Sequence, residues 1–369
     1  MTPEDRAWEV VRRAFEERGA PTHPRRRASN RLLLAAVVAA LAVVVGAALS
    51  PPGRAVFQSV RKAVGIEHAE PALFSLPSSG KLLVVSAEHG GVWLVRDNGF
   101  MRRLGSYDDA SWSPHGLYVV ATRGNELLAL DPDGGVRWRL ARHAPSSPTW
   151  EGTLTDTRIA YESASGLRVV AGDGTDDHLL DRFGSLPAWD PARLHVLAYY
   201  TGGAIVLRTA GGKLLWRRDV TVLPNSLQWS ADGHYLAVFS AKRVVVLDAR
   251  GRVHRTVSML SAELLTGSFR PGSHDLAVVV RRRGRSEVRL VDVDRPGAAP
   301  LLFAGPGAFG DVAWSPDGTW LLVNWPAANQ WVFLRGSRAR AVANIRQQFP
   351  RGDGLGPMLQ LAGRWCCAG

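Results

Sequence analysis

Cysteine is nearly missing from this chain. The 369 residues include two, Cys366 and Cys367, side by side close to the C-terminus. Neighbours in sequence cannot tie distant parts of a fold together, which argues against a disulfide scaffold and against a zinc site. Chain ends are in general loosely held, so the pair is expected to be a bystander, with an intermolecular disulfide as the alternative. Catalytic signatures are missing too. No Gly-x-Ser-x-Gly elbow, no phosphate-cradling glycine loop and no His-Glu-x-x-His pair occurs, and the chain is expected to be no enzyme and to carry no cofactor or metal. Acidic residues are outnumbered, 33 against 45 Lys and Arg, for a net charge of +12.

Glycine (38) and tryptophan (13) are abundant, which suits an all-β protein with many tight turns and aromatic packing positions. One uncharged, proline-free run stands apart: Leu32–Leu49, "LLLAAVVAALAVVVGAAL". Eighteen helical residues reach about 27 Å, close to the ~30 Å of a hydrocarbon core, so 32–50 reads as a transmembrane helix in contact with the lipid bilayer. Arg18, Arg25, Arg26, Arg27 and Arg31 precede it, and Arg54, Arg61 and Lys62 follow. That excess places the N-terminus in the cytoplasm and the large C-terminal region outside. A cleaved signal peptide fits less well, because 31 residues is a long leader.

The expected organisation is then a basic cytoplasmic segment over 1–31, the span over 32–50, a juxtamembrane linker or helix over 51–69, the main domain over 70–345 and a tail over 346–369. Within the first segment Trp8, Val11 and Phe15 form one helical stripe, with Glu4 and Asp5 in the first turn and Gly19 after the last. Such a helix either lies on the inner membrane surface or docks on a cytoplasmic regulator.

The main domain repeats. "SWSPHGLYVVAT", "TWEGTLTDTRIAYES", "AWDPARLHVLAYY", "QWSADGHYLAVFS", "SFRPGSHDLAVVV" and "AWSPDGTWLLVNW" align on Trp112, Trp150, Trp189, Trp229, Phe269 and Trp314, and a degenerate copy offers Phe74. Successive gaps of 38, 38, 39, 40, 40 and 45 residues are those of a propeller or solenoid array. In each copy the aromatic ends a short strand and plugs the layer between sheets. Ser-Pro-Asp-Gly fits a type I turn, with Pro316 second and Gly318 fourth. A buried strand follows, then a third that often ends in aspartate (Asp131, Asp248, Asp292), a glycine turn and a polar outer strand. Four strands per forty residues make one propeller blade.

"WSPDG" and "WSADG", each followed by an apolar strand, resemble the blades of TolB-type, WD-repeat-like bacterial propellers over about residues 70–345. "DPDGGVRW" and "TAGGKLLW" resemble the strand-turn-strand of quinoprotein-like propellers. Seven aromatic positions give seven blades, or six if Phe74 is discounted, and no strand stands out to close the ring from the other end of the chain. The resemblance implies a scaffold that binds a protein partner on a propeller face. The layout of short helix, span and outer domain also resembles single-pass anti-sigma-like regulators, in which the propeller would sense.

His115, His195, His234 and His274 recur at or just after the same inter-strand turn, and are read as solvated turn residues held apart by the ring. Asp131, Asp133 and Asp173–Asp177 are read as ordinary turn chemistry, although they faintly resemble calcium loops. Arg281–Arg285 reads as a solvated hairpin tip or a contact with anionic lipid, so no nucleic-acid partner is expected despite the basic charge.

Overall fold

The computed structural model describes residues 66–68, 75–86, 91–258, 262–336 and 338–343, with 345, 349, 359–361 and 365–367 beyond them. Residues 1–65, which hold Trp8, Val11, Phe15 and the apolar run, lie outside the described residues, as does Phe74. Among the described residues no helix is long and apolar enough to cross a membrane.

Seven antiparallel sheets follow one another along the chain as the blades of a propeller. Blade 2 shows the plan: Asp109–Trp112 innermost, then Val119–Arg123, Glu126–Leu130 and Val136–Ala141 outermost. Blade 3 starts at Ser146–Gly152, blade 4 at Ser185–Trp189, blade 5 at Ser226–Trp229, blade 6 at Glu263–Phe269 and blade 7 at Val312–Trp314. The middle strands are covered on both faces, which is why they read as unbroken apolar runs such as Leu321–Trp325, buried throughout. Outer strands such as Leu214–Asp219 alternate between half-buried and exposed positions, the period of a strand with one face in water.

The core is not one cluster but seven, each lying between two neighbouring blades. Leu83, Val85 and Leu94 of blade 1 meet Trp112, Val119 and Leu128 of blade 2. Leu82, Val84 and Trp93, on the other face of blade 1, meet Trp320, Leu322 and Trp331 of blade 7. The ring therefore closes, and closes at seven.

How it closes corrects two expectations. The stretch read as a C-terminal tail supplies the innermost strand of blade 1: Leu359–Leu361 pairs antiparallel with Lys81–Ser86. Beyond it Cys366 exchanges both backbone hydrogen bonds with Lys81, and Trp365 is buried against Phe333. Trp365 thus takes the aromatic place in blade 1. Cys366 and Cys367 are joined to each other in a disulfide and rest on the Pro114–Gly116 turn, so they belong to the ring. At the other end, Ile66–His68, read as part of a linker, adds a fifth, parallel strand outside Arg338–Ala343 of blade 7.

Candidate functional site

The turns after the inner strands of blades 2, 5 and 7 are built the same way. Gly116, Gly233 and Gly318 donate their N–H to the carbonyls of Ser113, Ser230 and Ser315. Each serine Oγ in turn accepts the N–H of the residue that opens the next strand, Tyr118, Tyr235 or Trp320. All these turns lie on one face of the ring, together with the turns between third and fourth strands, because antiparallel strands reverse at alternate ends.

Below this face the tryptophans link the inner strands into a hub. The indole N–H of Trp189 donates to Thr149 O of blade 3, that of Trp229 to Ala188 O of blade 4, and that of Trp314 to Ser268 O of blade 6, at 3.0–3.1 Å. Each reaches back to the preceding blade. Trp112 and Trp150 occupy the same place, buried, with no acceptor for their indoles among the described residues. Phe269 fills the position in blade 6, where its backbone N–H is capped by Gln228 Oε1.

A second set runs outside. Trp138 Nε1 donates to Gly172 O, His178 Nε2 to Ala210 O, Trp216 Nε1 to Ala249 O and His254 Nε2 to Val293 O. Each reaches forward to the next blade. The "GGVRW" and "GGKLLW" motifs are therefore inter-blade ties. Gly174 and Gly251, at positive φ, lie so close to the Trp138 and Trp216 rings that a Cβ would fall 2.8–2.9 Å from ring carbons.

The inner strands of blades 2 to 7 surround a central cavity of about 1170 Å³, with Trp365, Cys366 and Cys367 completing its wall. Its carboxylates are held by the protein itself. Asp109 accepts from the N–H groups of Ala110 and Ser147, and burial pushes its carboxyl above the ordinary range. Asp190 accepts from Ala192 N–H and pairs with Arg193 at 2.7 Å. Glu151 meets His195 Nδ1 at 2.5 Å, and Asp156 meets the same ring's Nε2 at 2.9 Å.

Beside the cavity, a second pocket of about 320 Å³ lies between blades 2 and 3, lined by Pro114, Leu117, Tyr118, Trp138, Trp150 and Leu154 among others. Its rim is apolar and in water: Leu117 is 51% exposed and Leu154 71%. Leu194, at the equivalent turn of blade 4, is also 51% exposed. Three successive blades therefore carry an exposed leucine on the face that bears the tryptophan turns.

The four turn histidines do not share one fate. His195 bridges Glu151 and Asp156 of blade 3. His234 and His274 sit in adjacent blades and meet, their rings 5.7 Å apart, so the ring does not hold them apart. Asp232 joins them, and the ligand atoms of all three lie within 4.8 Å of one another. Of the aspartates read as turn residues, Asp131 and Asp173 are that, whereas Asp177 is the centre of an ion-pair cluster. Asp131 and Asp173 cap the N–H groups of Asp133, Gly135 and Thr175. Asp177 is buried between Arg142, Arg168 and the Tyr161 hydroxyl. Arg281 pairs with Glu263 at 2.6 Å, at a hairpin on the opposite face.

His195 gives the face a pH dependence. Burial lowers its pKa, but the bonds to Asp156 and Glu151 outweigh that, and the ring titrates above its ordinary 6.5. Asp156, which also pairs with Arg158, is held below the usual carboxylate range mainly by His195, whereas burial pushes Glu151 up. A folded-state pKa raised above the unfolded one gives stability that is complete below about 6.5 and is lost as pH rises through the raised value. Thermal midpoints are expected to fall between about pH 6 and 8, and His195→Gln to remove part of that slope. His178, raised in the same sense against burial by its two backbone carbonyl partners, and His274, raised against burial by Asp232 and Asp294, keep the remainder.

No protein-family model matches the chain, and no curated protein matches it. Solved structures do. The C-terminal WD40 domain of Sif2 superposes with a TM-score of 0.54 at 14% identity, over 80% of this chain and 84% of that one. Hsv2 of Kluyveromyces marxianus gives 0.52 at 13%, over 72% and 98%. Hydrazine synthase of Kuenenia stuttgartiensis gives 0.50 at 14%, over 62% and 76%. The likeness is one of fold. It supports a WD40-like seven-bladed propeller.

Proposed function

We propose that the protein is a membrane-anchored interaction module whose propeller binds a partner protein on the face of the tryptophan turns. The observation that carries this is the ready-made 320 Å³ pocket with exposed Leu117 and Leu154 on its rim, and exposed Leu194 at the equivalent turn of the next blade. An apolar side chain of the partner would enter between blades 2 and 3, and the leucines would be covered around it. The anchor is the Leu32–Leu49 run, and the arginine excess before it puts the propeller outside the cytoplasm. The TolB-like resemblance of the turn motifs accords with an envelope partner in a bacterial cell.

The test is a crosslinking capture from membranes with the full chain. Leu154→Arg should lower recovery of the propeller's specific partner at least ~10-fold, since charging the rim of an apolar contact commonly costs a kcal/mol or more. Equal recovery by wild type and variant would remove the surface from consideration. The stripe of Trp8, Val11 and Phe15 motivates a second reading, a signalling regulator that holds a cytoplasmic factor by its N-terminal helix. Trp8→Ala with Phe15→Ala separates the two: it should abolish capture of a cytoplasmic factor under the regulator reading and leave the capture unchanged under the scaffold one.

A further inference from the structure

The face that carries the leucines carries a second feature, on the opposite side of the ring, that an interaction surface does not need. Asp232 belongs to the Ser-Ala-Asp-Gly turn of blade 5, and its two carboxylate oxygens have different tasks. Oδ1 is fixed by the turn, accepting from Ser230 Oγ at 2.6 Å and from His234 N–H at 3.1 Å. Oδ2 is turned to two imidazoles, His234 Nδ1 at 2.5 Å and His274 Nε2 at 2.7 Å. Two nitrogens and one oxygen, from two blades, thus converge on one point.

Behind this point stands a supporting carboxylate. His274 Nδ1 is 2.7 Å from Asp294 Oδ2, and Asp294 Oδ1 accepts from the Tyr235 hydroxyl at 2.9 Å. The Asp294 backbone N–H is itself held by Asp292 Oδ1. The His274 ring is pressed edge-on against Tyr235, with centroids 4.7 Å apart. A carboxylate on the far nitrogen of an imidazole fixes the tautomer and the ring plane and leaves the near nitrogen to donate its lone pair, the arrangement that commonly backs a metal-bound histidine.

We propose that Asp232 Oδ2, His234 Nδ1 and His274 Nε2 form a zinc site that bridges blades 5 and 6, with Asp294 as the positioning residue of His274. Two imidazoles and one carboxylate match the preference of a borderline divalent ion; calcium and magnesium favour all-oxygen shells. With zinc–ligand distances of about 2.0–2.1 Å, tetrahedral ligand atoms stand roughly 3.3 Å apart, so each nitrogen has to draw back from Asp232 Oδ2 by less than ~1 Å. The mobile side chain is at hand, because His234 is 70% exposed. The fourth position faces water. Among the described residues three protein ligands converge here, which leaves the ion a place for a solvent molecule or for a donor atom of whatever docks on this face.

The experiment uses the full-length protein in detergent, freed of metal by a chelator and titrated with zinc sulfate against a competing zinc dye. Saturation at one zinc per chain is expected, together with a rise in thermal midpoint. His234→Ala and His274→Ala should abolish both. Asp294→Asn should weaken zinc binding about 10–100-fold while leaving the metal-free midpoint near that of the wild type, which a purely structural role would not do. His234→Ala keeps the fold, since its side chain stands in solvent. Absence of a saturable site overturns the proposal, and so does zinc binding that survives His234→Ala unchanged. A site lost on Cys366→Ser with Cys367→Ser, but intact in His234→Ala, would assign the ion to the cysteines and overturn it equally.

Discussion

Trp229→Ala should cost about 3–5 kcal/mol of folding stability, the range for removing a large aromatic from a close-packed interior. Trp229 is 1% exposed and packs with Val196, Leu236 and Leu247 across the boundary of blades 4 and 5. Two losses add. The apolar cluster keeps a hole where the indole stood, and Ala188 O loses its donor inside the hub. Trp229→Phe separates them, because it retains most of the volume and gives up the hydrogen bond, for about 0.5–1.5 kcal/mol. Chemical denaturation of the three proteins, with midpoints and slopes compared, checks the order. An alanine variant as stable as the wild type would contradict the placement of this residue.

Removing residues 358–369 should have a larger effect still. The truncation takes away the innermost strand of blade 1, both backbone bonds from Cys366 to Lys81, and Trp365, which is buried against Phe333 between blades 1 and 7. It opens the ring at the joint where the C-terminal strand completes blade 1. The apolar surface of blade 1 then loses its cover on the cavity side, and a whole domain holds only about 5–15 kcal/mol in reserve. The truncated chain is expected to lose its single cooperative unfolding transition and to be cut rapidly by protease at native conditions. A cooperative transition within a few degrees of the wild type would show that six complete blades suffice.

The repeat was legible because its marks are local. A tryptophan, a serine-bounded turn and an apolar strand are neighbours in sequence, so their spacing gave the blades, the order of strands within them and the buried positions. Blade 1, which closes the ring, was not legible in the same way. Its inner strand, Leu359–Leu361, is three residues long, and Trp365 is followed by two cysteines where Trp112, Trp229 and Trp314 are followed by Ser-Pro or Ser-Ala. The remaining turn chemistry is supplied from the other end of the chain, at Gly80 and Lys81, which no local pattern can announce.

The histidines show the same boundary from another side. Their recurrence in the turns could be read, but their meeting depends on how the turns of blades 5 and 6 lean together. Asp294 carried no mark at all, being in a different turn of blade 6, twenty residues beyond His274. The outer ties were half visible. Trp138 and Trp216 were conspicuous, whereas the histidines that replace them, His178 and His254, looked like any other polar residue of an edge strand. A tie that needs only a ring N–H can change its residue type without changing its geometry.

Those two sets of ties pull in opposite senses. At the hub Trp189, Trp229 and Trp314 hold on to the blade behind, and at the circumference Trp138, His178, Trp216 and His254 hold on to the blade ahead. A blade that pitched like a louvre, hub one way and edge the other, would stretch both fastenings at once. Crossed stays of this kind stiffen a wheel against twist while leaving its faces bare, so the turns that carry the leucines and the histidines can be exchanged, lengthened or occupied without the frame beneath them having to give.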